Sequence, residues 1–122
     1  EQGIHEFTYS LYPACGNSGN ERKAAQLNFG LRRVMGSFHK GSLPENQGCV
    51  SCDCENVMIS AIKQGEDGNG TVLRLYELEG KDTAAQITMF DQKLSVSVPR
   101  NGLKTLDENG EEMNAMEWGI DK

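Results

Sequence analysis

Two runs of alternating residues, separated by a glycine-rich bend, constrain this chain more than anything else in it. Asn56 to Lys63 reads Asn-Val-Met-Ile-Ser-Ala-Ile-Lys, and Thr71 to Glu79 reads Thr-Val-Leu-Arg-Leu-Tyr-Glu-Leu-Glu. In the first run Val57, Ile59 and Ala61 alternate with Met58, Ser60 and Ile62, the period-2 pattern of a strand with both faces at least partly covered. In the second, Val72, Arg74, Tyr76 and Leu78 share one face, and Leu73, Leu75 and Glu77 the other. Between them Gly65, Gly68 and Gly70 permit positive φ, and Asp67 and Asn69 are side chains that bond their own backbone, so the chain reverses. The pattern predicts a β-hairpin lying centrally between two sheets.

The rest of the chain continues in β rhythm. Ala84 to Phe90 predicts a strand with Ala85, Ile87 and Met89 on one face, and Leu94, Val96 and Val98 predict a strand buried on one side and stopped by Pro99. Arg100-Asn101-Gly102 is a turn, and Leu103, Thr105 and the turn Asp107-Glu108-Asn109-Gly110 continue the sequence of short elements. Upstream, Ile4 to Tyr12 alternates, with Phe7, Tyr9 and Leu11 on a face that reads as core. Ala14 to Asn20 is a loop. Asn20 as N-cap and Glu21 in the first turn precede Ala24, Ala25 and Leu27, which predicts a short helix over 21–29 limited by Gly30. Gly36 to Gly48 is the best linker candidate, with His39 solvated inside it. The expected fold is therefore an all-β antiparallel sandwich with one short helix. Its expected organisation is an upstream strand and helix over 1–35, a linker over 36–48 and a sandwich over 49–122.

Composition excludes several function classes. At 122 residues one domain can bury about two-thirds of the surface its unfolded chain exposes. With net charge −6 and no basic run longer than Arg32-Arg33, nucleic acid is not an expected partner. No apolar stretch approaches the roughly 20 residues of a membrane-spanning helix, so no membrane partner is expected. Three of the four cysteines, Cys49, Cys52 and Cys54, fall within six positions. Near neighbours on a strand cannot meet disulfide geometry with each other, which favours a reducing, cytoplasmic setting. With Cys15 they make the right count for a four-thiolate zinc site, but on a strand Cys49 points away from Cys52 and Cys54; small buried hydrophobes are the default reading.

The hairpin's wording, together with His5-x-Phe7-x-Tyr9-x-Leu11-Tyr12-Pro13 and Gln26-Leu27-Asn28-x-x-Leu31, resembles the C-terminal β-region of the α-mannosidases of glycoside hydrolase family 38. These segments cover roughly residues 5 to 90 in the family's order, and none is a catalytic motif. The resemblance implies a non-catalytic β-sandwich supporting upstream catalytic and β-domains of the same protein. In the enzymes it resembles, a zinc ion is held there by histidines and aspartates, and an aspartate attacks the anomeric carbon of a terminal α-mannose with retention. The family's closing Pro-Phe-Glu-Ile-like strand has no counterpart after Trp118, so an unpaired sheet edge and self-association are expected.

The residues themselves point to no catalytic, cofactor-binding or metal site here. Retaining hydrolysis needs two carboxyl groups about 5 to 5.5 Å apart. The only histidines, His5 and His39, stand in no His-x-Asp pair. Glu66 and Asp67 are adjacent loop carboxylates with no pocket to separate their pKa values. A calcium loop starting at Asp67 fails, because its sixth position is Val72 and its twelfth is Leu78. Arg74 and Glu77 are expected in cross-strand ion pairs. A second reading is a carbohydrate-binding module using Tyr9, Tyr12 or Trp118, although Trp118 reads first as a core plug. The third is the cysteine zinc domain.

Overall fold

The computed structural model describes residues 2–15, 19–68 and 70–120. The chain divides into two units, Glu1–Val34 and Met35–Lys122. In the first, helix α1 spans Asn20–Asn28, with Glu21 in its first turn. The left-handed residue at its start is Gly19, which takes the N-cap position expected of Asn20, so Asn20 is already helical. The first turn closes through the Lys23 N–H to the Gly19 carbonyl at 3.1 Å, and the Phe29 N–H donates to the Ala25 carbonyl at 2.8 Å. No helical residue is buried.

Residues 4–12 do not form the expected strand. Phe7 is 84% and Tyr9 85% exposed, and Leu11 is exposed as well, so the expected core face is bare. Alternation supplies a strand with an apolar face but no partner for its backbone, and an unpaired strand is not stable in water. Part of the loop expected at 14–20 lies outside the described residues, as do Asn69 and the final two positions.

The second unit is a two-layer all-β sandwich. Its strands are β1 (Val50–Cys52), β2 (Val57–Gln64), β3 (Thr71–Glu77), β4 (Thr83–Met89), β5 (Gln92–Val98), β6 (Leu103–Leu106) and β7 (Glu112–Met113). One sheet has the order β1-β4-β5, the other β2-β3-β6-β7, with antiparallel pairing throughout. The core lies between them. Val57, Leu73, Leu75 and Leu106 come from one sheet, and Ala85, Ile87, Val96 and Val98 from the other, with Ile59, Leu94, Cys52 and Cys54 packed around them. No helix or strand lies between Gly30 and Cys49.

The expected hairpin is β2 and β3. Gly68 and Gly70 have φ of 79° and 64°, the left-handed backbone that the bend requires of a residue without a Cβ. Two details depart from simple alternation. The hairpin is not wholly central: β3 lies between β2 and β6, but β2 is an edge. A bulge between Ile59 and Ala61 also shifts the register, so Ile59 pairs with Leu75, yet Ala61 pairs with Arg74 and Ile62 with Leu73. A bulge inserts one unpaired residue and exchanges the faces beyond it. Ile62 therefore turns toward the core side near the end of the strand and stays 48% exposed.

Candidate functional site

The most heavily coordinated side chain is Glu77, at the end of β3. Its position in phase with Leu73 and Leu75 points it inward, and it is 4% exposed. A buried carboxylate survives only if donors replace its water, and five do. Oε1 accepts from Asn56 Nδ2 at 2.9 Å and the Glu79 N–H at 2.8 Å. Oε2 accepts from the N–H groups of Gly80 at 2.7 Å, Lys81 at 3.1 Å and Asn101 at 3.0 Å. Asn56 also donates to Thr83 Oγ1 at 2.6 Å. Burial pushes the carboxyl pKa up, but the bonds from Asn101, Asn56, Glu79 and Lys81 outweigh it and bring it down to about 2. Glu77 is thus no member of a cross-strand ion pair. It is an anion held by backbone dipoles at the junction of the β3–β4 and β5–β6 connections.

The second cluster sits on the outer face of the four-stranded sheet. Glu117 Oε1 accepts from Lys63 Nζ at 2.8 Å and Arg74 Nη2 at 2.9 Å, and Oε2 accepts from the Glu66 N–H at 3.0 Å. Arg74 Nη2 also donates to the Ala115 carbonyl at 2.9 Å, and Lys63 pairs with Glu66. Arg74 does form an ion pair, but not in the expected cross-strand ladder: its acid, Glu117, lies in the loop after β7, and its strand neighbours are Ala61 and Thr105. The Lys63 hydrogen bond, against burial and with help from the Glu66 N–H and the two cationic charges, holds the Glu117 carboxyl below the usual range. Asn114 makes this geometry. Its Oδ1 accepts the N–H groups of Met116 at 2.9 Å and Trp118 at 3.1 Å, while its carbonyl accepts the Glu117 N–H at 2.9 Å. The resulting tight loop, with Glu117 at φ 66°, turns Glu117 onto the sheet. Trp118 is left 68% exposed and is not the expected core plug.

A cleft of about 240 Å³ lies between the hairpin bend and the β6–β7 turn, lined by Asp67, Asp107, Glu108 and Glu117 among others. Its acids are largely committed. Asp107 Oδ1 accepts the N–H groups of Asn109 at 2.9 Å and Glu111 at 2.8 Å, and Glu108 accepts that of Thr71 at 3.1 Å. Among the described residues no three His, Cys, Asp or Glu side chains converge as a metal-holding group. Cys52 and Cys54 are half-buried against the core, whereas Cys15 and Cys49 are exposed, so the reading of all four as buried hydrophobes holds for two. Cys54 Sγ donates to Asp53 Oδ1 at 3.2 Å, and this bond chiefly holds its thiol above the ordinary range and away from the thiolate. Glu66 and Asp67 are exposed, and Tyr9 and Tyr12 are exposed in the first unit.

Chemically, the arrangement fixes strands. Both buried carboxylates are held ionised by donors of the fold, so neither is poised to give or take a proton near neutrality. The signal for Glu77 was present in the sequence: a charge in phase with two leucines must be either misplaced or fully coordinated. For Glu117 there was none, since its partners Lys63 and Arg74 lie more than forty positions away.

The family described as glycosyl hydrolases family 38 C-terminal beta sandwich domain matches residues 56–117. That span opens on Asn56, which binds Glu77, and closes on Glu117. Alpha-mannosidase G of Dictyostelium discoideum is 28% identical to the chain over 96 residues, an alignment covering 72% of this chain and 8% of that protein. No solved structure matches the chain.

Proposed function

The chain belongs to the glycosyl hydrolase family 38 C-terminal β-sandwich domains, and from that premise we propose that it is a non-catalytic, domain-packing part of a larger α-mannosidase. In this reading the hydrolysis of terminal α-mannose, its zinc ion and its nucleophile belong to upstream domains, and the sandwich supports them. The chain's span of 8% of alpha-mannosidase G supports it. The observation that carries it is a contrast. The buried carboxylates Glu77 and Glu117 accept their bonds from donors of the fold, while Phe7, Tyr9 and Leu11 stand exposed as apolar surface for a neighbour.

Two measurements test this. The chain supplied with zinc is expected not to turn over an aryl α-mannoside, and activity that survives repurification overturns the non-catalytic assignment. The separately produced upstream remainder of the same protein is expected to protect residues 4–12 from proteolysis. Unchanged cleavage in its presence overturns the packing role.

A further inference from the structure

A sandwich exposes unpaired backbone at its sheet edges, and the edges here differ in how they are blunted. Strand β7 has two residues and is bridged from Met113 to Gly119. Strand β1 has three residues. Strand β2 is long, but its ladder is broken by the bulge after Ile59, and Lys63 is tied to Glu117. Short strands, bulges and fixed charges are the devices that keep an edge from pairing. Strand β5 is neither short nor bulged, and its only charged residue is Lys93. Its seven residues pair with β4 in an unbroken register from Thr83↔Val98 to Met89↔Gln92, and Pro99 comes only after its end.

The open backbone groups can be assigned. The Gln86 N–H donates to Asp53 Oδ1 at 2.7 Å, and the Gln86 carbonyl accepts the Asp53 N–H at 3.1 Å, so both point toward the β1 side. Gln86 is the register partner of Ser95. In an antiparallel ladder, residues opposite one another either exchange both bonds or neither, so Ser95 turns its own N–H and carbonyl to the free side. By alternation Lys93 and Ser97 do the same. No strand among the described residues occupies that side.

We infer that this edge pairs with a second copy of the chain, β5 against β5, antiparallel across a two-fold axis at Ser95. The strand is complementary to itself in that register. Ser95 faces Ser95, Lys93 faces Ser97, and Leu94 faces Val96 on the core side, so no like charges oppose each other. Gln92–Val98 contains no carboxylate, so the chain's net negative charge is absent from the contact itself. The small outer-face side chains Ser95 and Ser97 leave that surface free of obstruction. Pairing joins the two three-stranded sheets into one, extends the Leu94, Val96 and Val98 row across the axis, and closes as an isologous dimer.

Sedimentation of the intact chain from low micromolar to millimolar concentration, paired with amide hydrogen exchange at both ends of that range, tests the inference. The expected result is a monomer–dimer equilibrium in which the amides of Ser95 and Ser97 become protected as dimer forms. S95K places two lysines opposite each other on an exposed face and is expected to weaken the dimer by about fivefold. A chain that stays monomeric throughout overturns the inference. So does association that leaves the β5 amides exchanging freely, which would place the contact elsewhere, or a folded S95K that dimerises as the parent does. Should S95K not fold, the exchange of the unmodified chain decides alone.

Discussion

Replacing Leu75 by alanine tests whether the hairpin's return strand is the structural middle of the sandwich. Leu75 is 0% exposed, lies on β3 between β2 and β6, and belongs to the core shared by both sheets. Truncation removes three carbons, worth about 2.5 kcal/mol of lost transfer free energy at roughly 0.8 kcal/mol per buried group. Because β3 is held by a ladder on each side, the walls cannot close fully on the vacancy. A residual cavity at ~24 cal/mol per Å³ adds up to about 2 kcal/mol. The expected loss is therefore about 2.5 to 4.5 kcal/mol. Ile62→Ala, on the same hairpin but 48% exposed, is expected to cost about 1 kcal/mol. Urea unfolding followed by far-ultraviolet circular dichroism measures both, with the midpoint of Leu75→Ala falling by roughly 1 to 3 M at an unchanged slope. A loss for Leu75→Ala below about 1 kcal/mol, or no larger than that of Ile62→Ala, refutes the placement of β3 at the centre.

The Glu77 carboxyl titrates at about 2 in the fold against an ordinary 4.5. Its contribution is complete above the ordinary value and is lost as pH falls through that window toward about 2. Glu77→Gln replaces an acceptor by a donor facing backbone N–H groups, so urea midpoints should drop at pH 7 and vary less between pH 4.5 and pH 2 than those of the unmodified chain. Equal pH dependence in the two proteins would show that Glu77 is not the acid-sensitive group. Phe90 holds φ 53° in the two-residue turn joining β4 and β5 and is mostly exposed. Phe90→Gly should therefore raise stability by about 0.5 to 1 kcal/mol, read as a higher thermal midpoint, and a lowered midpoint would mean that the ring contributes more than the strained backbone costs.

Much of the sandwich was legible because alternation reports burial directly. Ala85, Ile87 and Met89 on β4 and Leu94, Val96 and Val98 on β5 all face inward in the structure, as the pattern predicts. Strand order was not legible, since period 2 says nothing about neighbours; β2 looked central because the bulge after Ile59 places apolar residues on both of its faces. Residues 4–12 show the reverse limit: their pattern is that of a strand, but a strand exists only where a partner takes its backbone bonds. Alternation placed Glu77 inward, but the partners of the two carboxylates were hidden for another reason. Glu77 takes its donors from positions as far away as Asn56 and Asn101, and Glu117 pairs with Lys63 and Arg74, so no local motif records either.

Glu77 gathers Asn56, the backbone of 79–81 and Asn101 onto two oxygens. Its shell is complete only when the entry to β2, the β3–β4 link and the β5–β6 turn have all arrived, so the group acts as a coincidence detector for assembly. The bonds from Asn56 and Asn101, which join distant segments, are expected to form late in folding. Stabilisation of that kind lengthens the lifetime of the finished domain more than it hastens its formation.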